Sequence, residues 1–96
     1  MAGYGKRPDG SEKGQGWLGP LQLPDTEDVA TEYSIGVNID GKETLIPSLV
    51  PTLTEQEIKD VLEAAKTGRM PHGGIVQKAV EHARKRLSQG QSPFKD

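Results

Sequence analysis

An Asp-Gly pair set between two apolar runs leaves a chain few conformational choices, and here Asp40-Gly41 divides Tyr33–Ile39 from Lys42–Pro47. Tight hairpin turns need positive φ at their central residues, which Asp and Gly tolerate better than most. Before the turn, Tyr33, Ile35, Val37 and Ile39 occupy every second position. Period two places them on one face, so the segment reads as a half-buried strand that reverses at Asp40. A two-residue loop would set Ile39 against Lys42, Val37 against Thr44 and Ile35 against Ile46. A three-residue loop ending in a left-handed Gly41 would bring Ile35 opposite Leu45, and the pattern leaves both registers open. Pro47 cannot donate to a ladder and limits the second strand. A lone hairpin is marginal in water, so this one needs a cover.

Two helical stretches supply it. After the hairpin, Pro47 and Pro51 hold residues 46–53 in an extended connector. Thr54-Glu55-Gln56-Glu57 then forms a capping box, in which the Thr54 hydroxyl accepts from the amide three residues on and Glu57 accepts from the Thr54 amide. Leu53 and Ile58 make the matching hydrophobic staple. Ile58, Val61, Leu62 and Ala65 share one helical face, Gly68 suits a left-handed stop, and Pro71 blocks continuation. Beyond His72-Gly73-Gly74, a second stripe of Ile75, Val76, Ala79, Val80, Ala83 and Leu87 runs toward Gly90. The expected fold is α+β: a β-hairpin or small antiparallel sheet covered by two α-helices, with an extended Gly/Pro-rich N-terminal arm. Its parts are an arm over residues 1–27, a small domain over 28–90 with hairpin 33–47 and helices 55–67 and 74–89, and a tail over 91–96.

The arm is the part that such a body explains least. Hydrophobic residues are 32% of the 96, and the 12 glycines bring the chain only to the low end of the roughly 45–50% usual when glycine is counted. A thin core of this kind suggests that order comes partly from a partner or from further copies. Within the arm, Pro8-Asp9-Gly10-Ser11 and Pro24-Asp25-Thr26 mark turns. Between them Trp17, Leu18, Leu21 and Leu23 sit among glycines that disfavour a helix. These anchors either close the chain's own core or insert into a neighbour, and Phe94 near the C-terminus faces the same choice. As partner contacts the candidates are therefore Trp17, Leu18, Leu21, Leu23 and Phe94.

Charge is distributed unevenly. Residues 25–43 hold Asp25, Glu27, Asp28, Glu32, Asp40 and Glu43 against Lys42 alone, whereas residues 75–96 hold Lys78, Arg84, Lys85, Arg86 and Lys95 against Glu81 and Asp96. Lys78, Arg84, Lys85 and Arg86 form a candidate basic surface. The net charge is −2, and no aromatic residue interleaves with these cations along the chain, so nucleic acid is not an expected partner. The distribution could instead steer head-to-tail association, or both ends could be solvated faces. Cysteine is absent, which removes disulfides and thiolate metal sites. No apolar run is long enough to span a bilayer, and no membrane partner is expected.

Catalytic chemistry is not apparent. His72 and His82 have no ligand partner at metal spacing. Glu57 is explained by capping and Glu55 by the helix dipole. Gly73-Gly74 at a helix start is alone a weak phosphate signal, and no serine stands in a nucleophile elbow. We expect no catalytic residue, no metal and no cofactor.

Several motifs recur together. Lys6-Arg7-Pro8-Asp9-Gly10-Ser11, Lys13-Gly14, Gly16-Trp17-Leu18-Gly19, Tyr33-Ser34-Ile35-Gly36-Val37, the connector Ile46-Pro47-Ser48-Leu49-Val50-Pro51-Thr52-Leu53-Thr54, the run Ile75–Ala83, and Ser92-Pro93-Phe94 follow in order. In this order the chain resembles a small module encoded by tailed bacteriophages. The resemblance spans almost the whole chain, with the connector and the Ser-Pro-Phe tail its most specific pieces. It departs at Pro24-Asp25-Thr26-Glu27-Asp28, where such modules more often read Pro-Asp-Gly-Gly. Such modules occur as free-standing small proteins and within larger virion-associated proteins, with no assigned activity. The resemblance implies a non-enzymatic structural or accessory (decoration) protein, in the virion and in the host cytoplasm before assembly. Its partners would be capsid, portal or tail proteins, with homo-oligomers possible. The alternatives are a phage nucleic-acid-binding or packaging factor, and a small inhibitor of a host protein.

Overall fold

The computed structural model describes residues 6–7 and 9–95. Pro8 of the first turn motif, residues 1–5 of the arm and Asp96 of the tail lie outside that set. The element order is β1 (Leu21–Gln22), β2 (Val29–Ala30), β3 (Ser34–Ile39), β4 (Lys42–Pro47), α1 (Glu55–Thr67) and α2 (Gly73–Ser88). This is a small α+β fold with two antiparallel two-stranded sheets, β1–β2 and β3–β4.

The β3–β4 hairpin takes the two-residue loop. Ile39 pairs with Lys42, Val37 with Thr44 and Ile35 with Ile46. Asp40 and Gly41 both have positive φ, 53° and 83°, as the primed turn requires. The Gly41 amide also donates to Asn38 Oδ1 at 2.9 Å. Ile35, Ile39 and Ile46 are buried on the face that α2 covers, together with Leu49, Val50 and Leu53 from the connector.

At α1 the capping box forms as the spacing predicts. The Glu57 amide donates to Thr54 Oγ1 at 3.2 Å and the Thr54 amide to Glu57 Oε1 at 2.8 Å. Gly68 ends the helix in the left-handed region with φ 76°, its amide donating to the Ala64 carbonyl. Val61 and Leu62 are buried as expected, but Ala64 is the fully buried alanine while Ala65 is half-buried. On that side of the helix the Tyr33 hydroxyl donates to the Arg69 carbonyl at 2.7 Å and lies 3.2 Å from the Ala64 carbonyl. Tyr33 does not join β3: its φ is 42°, a left-handed kink that on the order of 1–3 kcal/mol of local strain accompanies in a bulky residue.

The α2 stripe is buried at Ile75, Ala79 and Ala83 and half-buried at Val76 and Val80. Leu87, expected to continue it, is 42% exposed. The hairpin has already turned at Asp40, so the helix outruns the sheet beneath it; Leu87 instead edges an open groove with Ile39, Asp40, Arg84 and Ser88.

The arm carries structure that its glycines concealed. Leu21 and Gln22 pair with Ala30 and Val29, so one ladder joins the arm to the residues that lead into β3. Upstream of it, Gly16 has φ 77° and its Cα faces Thr31 so closely that an added Cβ would stand 2.0 Å from the Thr31 carbonyl oxygen. A side chain there meets both a forbidden contact and a strained φ. Gly16→Ala is expected to destabilise the protein by roughly 2 kcal/mol or more, read as a lowered urea midpoint.

Candidate functional site

Glu32 follows the β2 strand into a buried position, with 1% of its surface exposed. A carboxylate taken out of water needs charge and hydrogen bonds in return. Arg7 provides both, Nε donating to Oε1 at 2.8 Å and Nη2 to Oε2 at 2.7 Å. The Gly14 amide adds a third bond, to Oε2 at 3.0 Å. The Glu32 backbone carbonyl in turn accepts from the Ser48 and Leu49 amides, which ties the arm to the connector.

The same cluster holds the C-terminal tail. The Arg7 guanidinium lies 3.9 Å from the centre of the Phe94 ring, a favourable cation–π geometry, and Phe94 is 7% exposed. Trp17 Nε1 donates to the Pro93 carbonyl at 3.1 Å. Its indole meets the His82 ring edge-on at 4.8 Å, while Arg86 and Lys95 stand 4.7 Å and 5.7 Å from its centre. Arg86 is further held by donation from Nε to the Ser92 carbonyl. The result is a clasp between the two ends of the chain.

Each candidate partner contact is placed by this arrangement. Leu18 and Leu21 pack against the core cluster, Trp17 and Leu23 are half-buried, and Phe94 is buried. Of the two placements that the sequence leaves open for these anchors, the structure shows the leader leaning on this chain's own tail and on α2. Of the candidate basic residues, Lys78 is paired with Glu57 at 2.6 Å and donates to the Thr52 carbonyl. Arg84 lies 3.5 Å from Asp40, and Arg86 is committed to the clasp. Lys85 is exposed and makes no ion pair among the described residues. Thus all four share α2, but the fold divides their work.

An open recess of about 280 Å³ runs beside the clasp, lined by Thr52, Lys78, Glu81, His82 and Lys85. His82 Nδ1 is buried and has no hydrogen-bond partner among the described residues. Burial, and after it the positive charges of Arg86 and Lys85, push the His82 pKa below its ordinary value. The Lys78 ammonium and the Thr54 amide hold the Glu57 carboxyl low. No cluster of three or more metal-ligating side chains occurs among the described residues. No helix there is long and apolar enough to cross a membrane.

Reading along the sequence missed Glu32 as the centre of this site. A lone acid after Val29-Ala30-Thr31 carries no mark of burial, and its partner lies 25 residues upstream. The one available signal was Arg7 within a motif of the resemblance. A small α+β fold clasped at both ends is what the geometry defines, and comparison with family models, with curated proteins and with solved structures returned no match.

Removing one member of a buried pair strands the other. Arg7→Ala and Glu32→Leu are each expected to cost roughly 3 kcal/mol or more in chemical denaturation, and Arg7→Met with Glu32→Leu to lie nearer the parent than either single change. His82 adds a pH dependence. Because folding lowers its pKa from 6.5, the unfolded chain binds the extra proton first. Its contribution is therefore full above that value and is lost as the pH falls through the folded pKa. Thermal midpoints measured from about pH 8 down to about pH 5 should fall, and His82→Gln should flatten that slope.

Proposed function

We propose that this chain is a non-enzymatic structural or accessory protein of a tailed-bacteriophage particle, bound in several copies to capsid, portal or tail proteins. The observation that carries this reading is where the resemblance lies in space. Arg7, Gly16 with Trp17, Ser48, His82 and Phe94 come from five motifs of that resemblance, and each stands in or beside the clasp. Their contacts go to one another, to the buried Glu32 carboxylate and to backbone groups, so the motifs are used to hold the two ends of the chain in one arrangement.

In an enzyme, motif residues tend to converge on a cleft as nucleophile, base and orienter. Here they converge on a structural joint, and the outer faces of α1, α2 and the hairpin are left to make contacts. That division suits a module that works by occupying a place in an assembly. The particle is its proposed location, and the host cytoplasm its location before assembly.

Mass spectrometry of salt-washed, gradient-purified particles is the direct test. Peptides from the arm and from α2 should be present at a stoichiometry of several copies; their absence from mature particles overturns the reading.

A further inference from the structure

Two surfaces of this molecule are opposite in charge and are not paired with each other among the described residues. The first is the turn between β1 and β2. It is stiffened from within: the Leu23 amide donates to the Asp28 carbonyl, Gln22 Nε2 to the Thr26 carbonyl, and the Asp28 amide to Thr26 Oγ1. Glu27 and Asp28 are exposed and make no ion pair among the described residues. Asp25 is 89% exposed, with Lys66 3.4 Å away, and Val29 is 47% exposed at the base of the turn. The turn is a preformed acidic knob with an apolar shoulder.

The second surface is the recess on α2 and the indole beside it. Lys78 and Lys85 line the recess, while Arg86 and Lys95 stand over Trp17, joined to it through the His82 ring. Glu57 and Glu81 are the carboxylates that offset these four cations. Lys85 and Lys95 make no ion pair among the described residues. Asp25 is tied to the last turn of α1, whereas Lys85 and Arg86 belong to the last turn of α2. Among the described residues no ion pair joins the two surfaces.

We propose that copies of this chain associate head to tail, with the acidic Asp25–Val29 turn of one copy seated against the basic, Trp17-backed face of α2 on the next. Glu27 and Asp28, beside an Asp25 offset by Lys66, meet Lys85 and Lys95, while Lys78 and Arg86, already bound to Glu57 and to the Ser92 carbonyl, add to the positive field of that face, so each surface supplies the charge that the other lacks. Because the knob is already ordered, little conformational freedom is lost on docking. The two surfaces differ, so the contact is heterologous: it builds a ring if the rotation closes and a filament if it does not. The association belongs to the protein in solution and stands apart from the particle reading, which the mass spectrometry above tests separately.

Sedimentation velocity on the full chain distinguishes the outcomes. At about 20 mM salt the average mass should rise with concentration above the 10.4 kDa of one chain, and it should return there at about 500 mM salt. The pair Glu27→Lys with Asp28→Lys, and separately the pair Lys85→Glu with Lys95→Glu, should each weaken association at least tenfold. Circular dichroism melts confirm that each remains folded. An equimolar mixture of the two reversed proteins should recover the association, because each altered surface again finds its opposite. A chain that stays at one copy throughout at low salt overturns the proposal. So does association that ignores the reversals, a mixture no better than its parts, or a protein that gains mass only when duplex DNA is added.

Discussion

A carboxylate buried in a chain with little apolar surface has to be answered by geometry, and Glu32 is answered three times, by two nitrogens of Arg7 and by the Gly14 amide. Such a pair is not by itself a source of stability, since the cost of removing both charges from water can equal their attraction. Its consequence is uniqueness. If the arm slid by one residue, Arg7 would leave the carboxylate and a buried charge would stand alone. The arm therefore has one position, and the residues that follow inherit it.

Everything nearby is set by that position. Arg7 presents its flat face to Phe94, which brings the tail over the arm. Gly16 passes the Thr31 carbonyl at a distance that admits no side chain. Trp17 then arrives where it can donate to Pro93 and rest on His82. Small domains bury a modest share of their surface, and this one enlarges its interior by folding both ends against α2. The left-handed Tyr33 is the bend that lets Glu32 face the arm while β3 continues along the sheet. Its strain is held by the Ser48 hydroxyl donating to its carbonyl at 2.7 Å and by its own hydroxyl at the end of α1.

That economy also shapes what is left for function. The aromatic residues that looked available for a partner are engaged inside the chain, and so are Lys78 and Arg86. What remains outward includes the acidic β1–β2 turn with exposed Val29, the cations Lys85 and Lys95, and the groove edged by Leu87. Cations and an aromatic ring that are far apart in the sequence become neighbours at Trp17, although residues 17 and 86 share no local pattern. A contact made by such faces is steered by charge and weakened by salt.

The parts legible in the sequence were those governed by neighbours in the chain. Alternation over residues 35–39, the Asp40-Gly41 turn, the Thr54–Glu57 capping box and the Gly68 stop depend on groups within a few residues, and each carries its own geometric signature. The choice between two hairpin registers was not legible, because either one buries apolar side chains and an Asp-Gly pair suits either loop length. Nor was the exposure of Leu87, which depends on where the sheet beneath it ends. Sequence alone determined that this chain makes a hairpin and two amphipathic helices. Tertiary structure decided that the arm closes on the tail, because Arg7 with Glu32 and Trp17 with Pro93 pair across 25 and 76 residues, and no local propensity encodes a bond whose partner is chosen by the folded shape.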